Sequence, residues 1–108
     1  MKKGDICLIN LEAGLGHEQY GQRPAILVSN INSGIVSVIP LTSNMEALRF
    51  PFALAILPSQ QNKLQTESVA LVFHLKSIDQ SRIIKVVGQT DRDTKQKINK
   101  MLKELLEL

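Results

Sequence analysis

Six short apolar runs stand out before position 88, and they limit the fold more than any other feature. They are Ile6 to Ile9, Ala25 to Val28, Ile35 to Ile39, Phe52 to Leu57, Val69 to Phe73, and Ile83 to Val87. Each is rich in Val and Ile and is bounded by Gly, Pro, Asn or Ser. Runs of that length and punctuation are predicted as strands, because a helix needs a longer segment with a 3.6-residue period. Several short strands with no helix between them favour a closed or nearly closed sheet, since closure removes exposed edges. The expected architecture is a mainly β fold, a small β-barrel.

The period changes after Gly88, which is expected to end the last strand. Ile98, Met101, Leu102, Leu105 and Leu106 recur at three- and four-residue spacing, the stripe of an amphipathic C-terminal α-helix. Thr90 and Asp93 read as an N-cap pair, with Asp91 and Asp93 suited to the positive helix end. Lys95, Lys97, Lys100 and Lys103 populate the other face, which reads as a solvated face. The 108 residues suit a single domain spanning 1–108, and no repeat, low-complexity tract or linker divides them.

Composition excludes several classes. With 44% hydrophobic and 21% charged residues the chain is neither mostly disordered nor fibrous. Aromatic residues make up only 4% and Trp is absent, so the core must be aliphatic. A domain of this size buries a core but does not also enclose a large cofactor, and none is expected. The net charge of +3 is compatible with nucleic acid or an acidic partner. A lone cysteine, Cys7, rules out an internal disulfide and a thiolate zinc cluster, and reads as a small core residue. His17 and Glu18 are adjacent and no HxxxH or Cys/His spacing exists, so no metal set is expected. No stretch reaches the ~20 apolar residues of a membrane span. The run after Lys2 and Lys3 is too short for a signal peptide, which makes the cytoplasm the expected compartment.

Two loops exceed what strand connections require. Leu11 to Gln22 carries Gly14, Gly16 and Gly21 with His17, Glu18, Gln19 and Tyr20; Ser43 to Pro51 carries Asn44, Glu46 and Arg49. Long loops on a small rigid sheet are common functional sites. Pro24 biases Arg23 towards an extended conformation, so Arg23 leads into the second strand where the first loop empties. The second and third runs read as a hairpin turning at Asn32 and Ser33, with Gly34 supplying positive φ. If Ile31 faces Gly34, the same register sets Arg23 opposite Thr42; a shift of two sets it opposite Asn44. A guanidinium and a hydroxyl converging beside a His/Glu loop make a phosphate site, because Arg grips phosphate bidentately and stays charged.

Each of these residues also has a plain structural reading. Arg23 reads equally as a surface partner of Glu12 or Glu18, Thr42 as a strand-end residue, His17 as solvent-exposed, and His74 as a half-buried sheet residue. Tyr20 reads as a base-stacking platform or as a loop anchor. A Ser43–His17–Asp79 triad can be drawn, but no nucleophile-elbow pattern accompanies it.

The motifs together resemble one family. Lys3-Gly4-Asp5-Ile6, then Gly16-His17-Glu18-Gln19 through Gly21 to Arg23-Pro24, is similar to the MazF/PemK/Kid toxin endoribonucleases. Pro40-Leu41-Thr42-Ser43, Phe50-Pro51-Phe52, and Ser68-Val69-Ala70-Leu71 leading to Lys76-Ser77-Ile78-Asp79 follow in the family's order. The resemblance implies an SH3-like β-barrel with a terminal helix (the MazF/CcdB-like toxin fold), assembled as a homodimer. It implies metal-independent, sequence-specific cleavage of single-stranded RNA, usually mRNA, held in check by a cognate antitoxin with a flexible acidic tail. By position, Arg23 and Thr42 match the family's catalytic pair, Glu18 lies in its active-site loop, and His17 matches a histidine that some members use. Gln19, Tyr20, Ser43, Phe73 and His74 are the expected RNA contacts. The chain departs from the family at Phe73-His74, where many relatives carry an acidic residue followed by Gln. Two other readings share the fold: a CcdB-like gyrase inhibitor, against which the missing tryptophan counts, and an RNA-binding relative whose catalysis has decayed.

Overall fold

Strands buried on both faces lose the usual alternation of polar and apolar residues, and that is the origin of the unbroken runs at Ile6–Ile9, Ala25–Leu27 and Val69–Leu71. The computed structural model describes residues 1–11 and 21–108. Its strands are β1 (Asp5–Leu11), β2 (Gly21–Leu27), β3 (Ile35–Thr42), β4 (Ala53–Ile56), β5 (Ser68–Leu71), β6 (Lys76–Asp79) and β7 (Ile83–Gln89). Helix α1 (Arg92–Leu106) follows. The strands pair antiparallel in the order β4-β5-β3-β2-β1-β7, with β6 beside the first half of β3.

One side of the sheet buries Ile6, Ile26, Ile39 and Leu41 against Ile98 of α1, with Met101, Leu102 and Leu105 packed around them. The other buries Cys7, Ile9, Ala25, Leu27, Val36 and Val38 against Ile78. Each fully buried Val, Leu or Ile side chain contributes about 1.5–3 kcal/mol. Leu106, expected in the helix stripe, is half exposed.

The mainly β architecture with a C-terminal helix is the one expected, but the sheet is not a closed barrel. Among the described residues no ladder joins β4 to β7. The connection from β4 to β5 spans that gap instead. Gln89 donates its backbone N–H to the Gln61 carbonyl at 3.0 Å. Gly88 sits so close to the Asn62 backbone that a Cβ there would overlap the carbonyl.

Other local expectations change for identifiable reasons. β6 was not foreseen because it buries only Ile78, and its pairing with Ile35–Val38 creates it. The run at Val69 leaves the sheet after Leu71, and Val72–His74 forms a 3₁₀ turn. Gly88 lies within β7, opposite Ile6, instead of ending it. The helix cap is Asp91, whose Oδ1 accepts the Thr94 N–H at 2.7 Å. Thr90, one residue earlier, is buried, and its hydroxyl donates to the Gly4 carbonyl at 2.8 Å. The Ser43–Pro51 loop contains a 3₁₀ turn, Met45–Arg49, capped by Asn44.

Candidate active site

The site begins with the register of the β2–β3 hairpin. Ala25 pairs with Pro40, Ile26 with Ile39 and Leu27 with Val38. This is the register expected from Ile31 facing Gly34, although the tip itself differs. There Asn32 pairs with Ile35, and both Ser33 and Gly34 take positive φ. The offset is absorbed on the β2 side, where Ser29 Oγ accepts the Ser37 N–H at 3.0 Å. The ladder ends at Ala25–Pro40, two positions short of Arg23 and Thr42 on their respective strands.

Both residues line one cleft of about 520 Å³. Leu8, Pro24, Leu41, Leu64 and Val87 supply its apolar surface, and Gln22, Ser43, Gln65, Thr66 and Ser68 its polar surface. Its ionisable lining among the described residues is Arg23 and Lys63, both cationic. Among the described residues none forms a salt bridge with the Arg23 side chain. Arg23 is partly exposed, whereas Thr42 is buried. Thr42 Oγ1 accepts the Asn44 N–H at 3.2 Å, so its own proton remains available to donate. Thr42 is fixed on its other side by pairing with Val69 of β5. A neutral donor and a permanent cation on a fixed sheet suit a phosphodiester whose charge grows during reaction.

The remaining expected site residues divide into three groups. Ser43 lies in the cleft, exposed. His17, Glu18, Gln19 and Tyr20 lie outside the described residues, as do Glu12 and any pairing it makes with Arg23. The bounds of that segment are Leu11 and Gly21, cross-strand partners two positions from the Ile9–Arg23 pair. Phe73 and His74 do not line the cleft. They lie roughly 10 Å further along the chain from Val69, in a separate aromatic group. Phe73 stacks on Phe50 at 5.4 Å and on His74 at 4.4 Å, and the Arg49 guanidinium lies 4.9 Å from the Phe50 ring centre. His74 is exposed in a 3₁₀ turn and is not the half-buried sheet residue expected. The drawn triad fails on distance: Asp79 pairs with Ile35, eight positions from Ser43 and roughly 25 Å along β3.

Sequence reasoning missed the wall formed by Lys63, Gln65 and Thr66. Its shape depends on Asn62, which is buried. Asn62 Oδ1 accepts the N–H groups of Ser59 and Leu64, each at 2.9 Å, and its Nδ2 donates to the Leu57 carbonyl at 2.9 Å. The one sequence signal was Gly88, since an isolated glycine in an apolar strand marks a close backbone approach.

Comparison with known proteins gives a consistent picture. A family profile described as PemK-like, MazF-like toxin of type II toxin-antitoxin system matches residues 2–106. The chain is 28% identical over 117 aligned positions to endoribonuclease MazF9 of Mycobacterium tuberculosis, covering 100% of this chain and 98% of that protein. The fold is similar to the crystal structure of MazF from Deinococcus radiodurans, with a TM-score of 0.81 and 27% identity, covering 100% of this chain and 97% of that one. It is similar also to a MazE-MazF crystal structure from the same organism, with a TM-score of 0.77 and 27% identity over 100% and 96% of the two chains.

Proposed function

We infer function from the premise that the chain belongs to the PemK-like, MazF-like toxins of type II toxin–antitoxin systems. It is an endoribonuclease that cuts single-stranded RNA, with mRNA the expected target, at specific sequences and without a metal. The observation that supports this reading is the shared cleft, which Arg23 and Thr42 both line with no acidic neighbour among the described lining residues.

The reaction needs positioning and charge stabilisation more than covalent catalysis. The ribose 2′-OH loses its proton and attacks the adjacent phosphorus in line. The bond from phosphorus to the 5′ oxygen breaks, and that oxygen takes a proton. The products are a 2′,3′-cyclic phosphate and a 5′-OH end. Arg23 holds the charge of the phosphorane, and Thr42 donates to a non-bridging oxygen. Glu18 or His17 moves the proton, a role typically worth ~10²–10⁴-fold. Tyr20 stacks on a base, commonly worth ~1–3 kcal/mol, while Gln19 and Ser43 make polar contacts to the strand. Phe73 and His74 meet the RNA beyond the scissile phosphate, on the aromatic group they form with Phe50.

The active unit is one domain paired as a homodimer in the cytoplasm. The MazE-MazF complex of the Deinococcus relative supports a cognate antitoxin here too. Its flexible acidic tail would occupy the cationic cleft.

Cleavage of a long single-stranded RNA in EDTA, with the cut ends mapped, tests the reading. Discrete cuts ending in cyclic phosphates are expected, and Arg23→Ala should abolish them while leaving the fold intact. Full activity in that variant removes Arg23 from the mechanism. RNA that is bound but uncut indicates a relative without catalysis.

A further inference from the structure

Lys63 is the second cation of the cleft, and its backbone is unusual. Its φ is 57°, the left-handed region that a residue with a Cβ adopts only at a cost. The neighbouring hydrogen bonds enforce that conformation. Lys63 donates its N–H to the Ser59 carbonyl at 2.9 Å, and Asn62 clamps the residues on both sides. The Gly88 contact then presses this clamp against β7. A long flexible cation is thereby mounted on a rigid turn at the wall of the cleft. No described carboxylate pairs with it.

We propose that Lys63 is a second phosphate-binding residue, holding the backbone phosphate next to the one gripped by Arg23 and so setting how the RNA strand enters the cleft. The proposal rests on the endoribonuclease reading above and adds a residue that none of its motifs contains. Two cations on separate, independently braced elements fix a strand at two phosphates, which orients the intervening ribose for in-line attack. Lys63 binds as a point charge without base preference.

Glycine tests this cleanly, because Lys63→Gly removes the charge and suits the positive φ better than lysine does. Wild type, Lys63→Gly and Lys63→Arg are compared by thermal melting and by affinity for a degenerate-sequence 2′-O-methyl oligoribonucleotide, which lacks the attacking hydroxyl. Lys63→Gly should melt at or above the wild-type temperature yet bind more weakly. Its plot of log affinity against log salt should be shallower by about 0.7, the single-strand value for one phosphate contact. Its deficit should therefore narrow roughly 2.6-fold for a fourfold rise in salt. Lys63→Arg should keep the wild-type slope. If wild type binds and Lys63→Gly has the same affinity and slope, the proposal fails while the endoribonuclease reading stands. A lower melting temperature with an unchanged slope assigns Lys63 a structural role only and also overturns it. If wild-type protein neither binds this probe nor cuts RNA, both readings fail together.

Discussion

Gly88→Ala places one methyl group where the structure has no room for it. The new Cβ would overlap the Asn62 backbone carbonyl, and backbone cannot step aside as a side-chain tip can. Forced overpacking costs ~1–3 kcal/mol. Relief requires moving the 57–67 connection off β7, which breaks the Gln89–Gln61 hydrogen bond, worth a further ~1 kcal/mol. The sum is about 3 kcal/mol, or a fall of roughly 10–15 °C in Tm for a domain of this size. Urea unfolding measures it directly as a lower midpoint at unchanged slope. The same displacement moves Lys63, Leu64 and Gln65, so affinity for single-stranded RNA should fall although the variant lies outside the Arg23–Thr42 pair. A stability within ~0.5 kcal/mol of wild type, with RNA affinity unchanged, would show that the connection does not depend on β7 and would refute the reasoning.

Other outcomes follow from the same geometry. Thr42→Val should lower single-turnover cleavage by about 10²–10³-fold, as loss of one preorganised donor does, while Thr42→Ser retains most of it. Asp91→Ala should destabilise by about 1 kcal/mol, the usual value of an N-cap. The Thr94 N–H holds the Asp91 carboxyl below its ordinary range, so its contribution is present above about pH 4 and fades as pH falls through the lowered value; urea titrations at neutral and acid pH should show the variant's deficit shrinking. Burial pushes the Cys7 thiol up to about 11. Alkylation by iodoacetamide at neutral pH should therefore proceed only as fast as the protein opens, and rapid labelling of folded protein would contradict its place in the core.

What the sequence revealed, and what it hid, follows from where each side chain finds its partners. The central strands were legible because both of their faces are covered, which turns Ile6–Ile9 and Ala25–Val28 into uninterrupted apolar runs. The hairpin register as far as Ala25–Pro40 was legible for a related reason: the hairpin body obeys period-two pairing even though its tip is offset. β6 was hidden, since three of its four side chains are not buried and only its partner strand makes it extended. Thr90 and Asp91 are both acceptable caps by residue type; Asp91 takes the role, while Thr90 is buried with its hydroxyl on the distant Gly4 carbonyl. Lys63 was hidden most thoroughly, because its place in the cleft depends on a buried asparagine and on a glycine 25 positions later.

The open order of the sheet also governs when the cleft is completed during synthesis. Arg23 and Thr42 are made early, but the cleft wall needs Val87, and β7 pairs with β1 only once residues 83–89 exist. A nascent chain stalled before that point carries Arg23 and Thr42 without the finished cleft they line. The cleft is therefore completed only when nearly the whole sheet has been made.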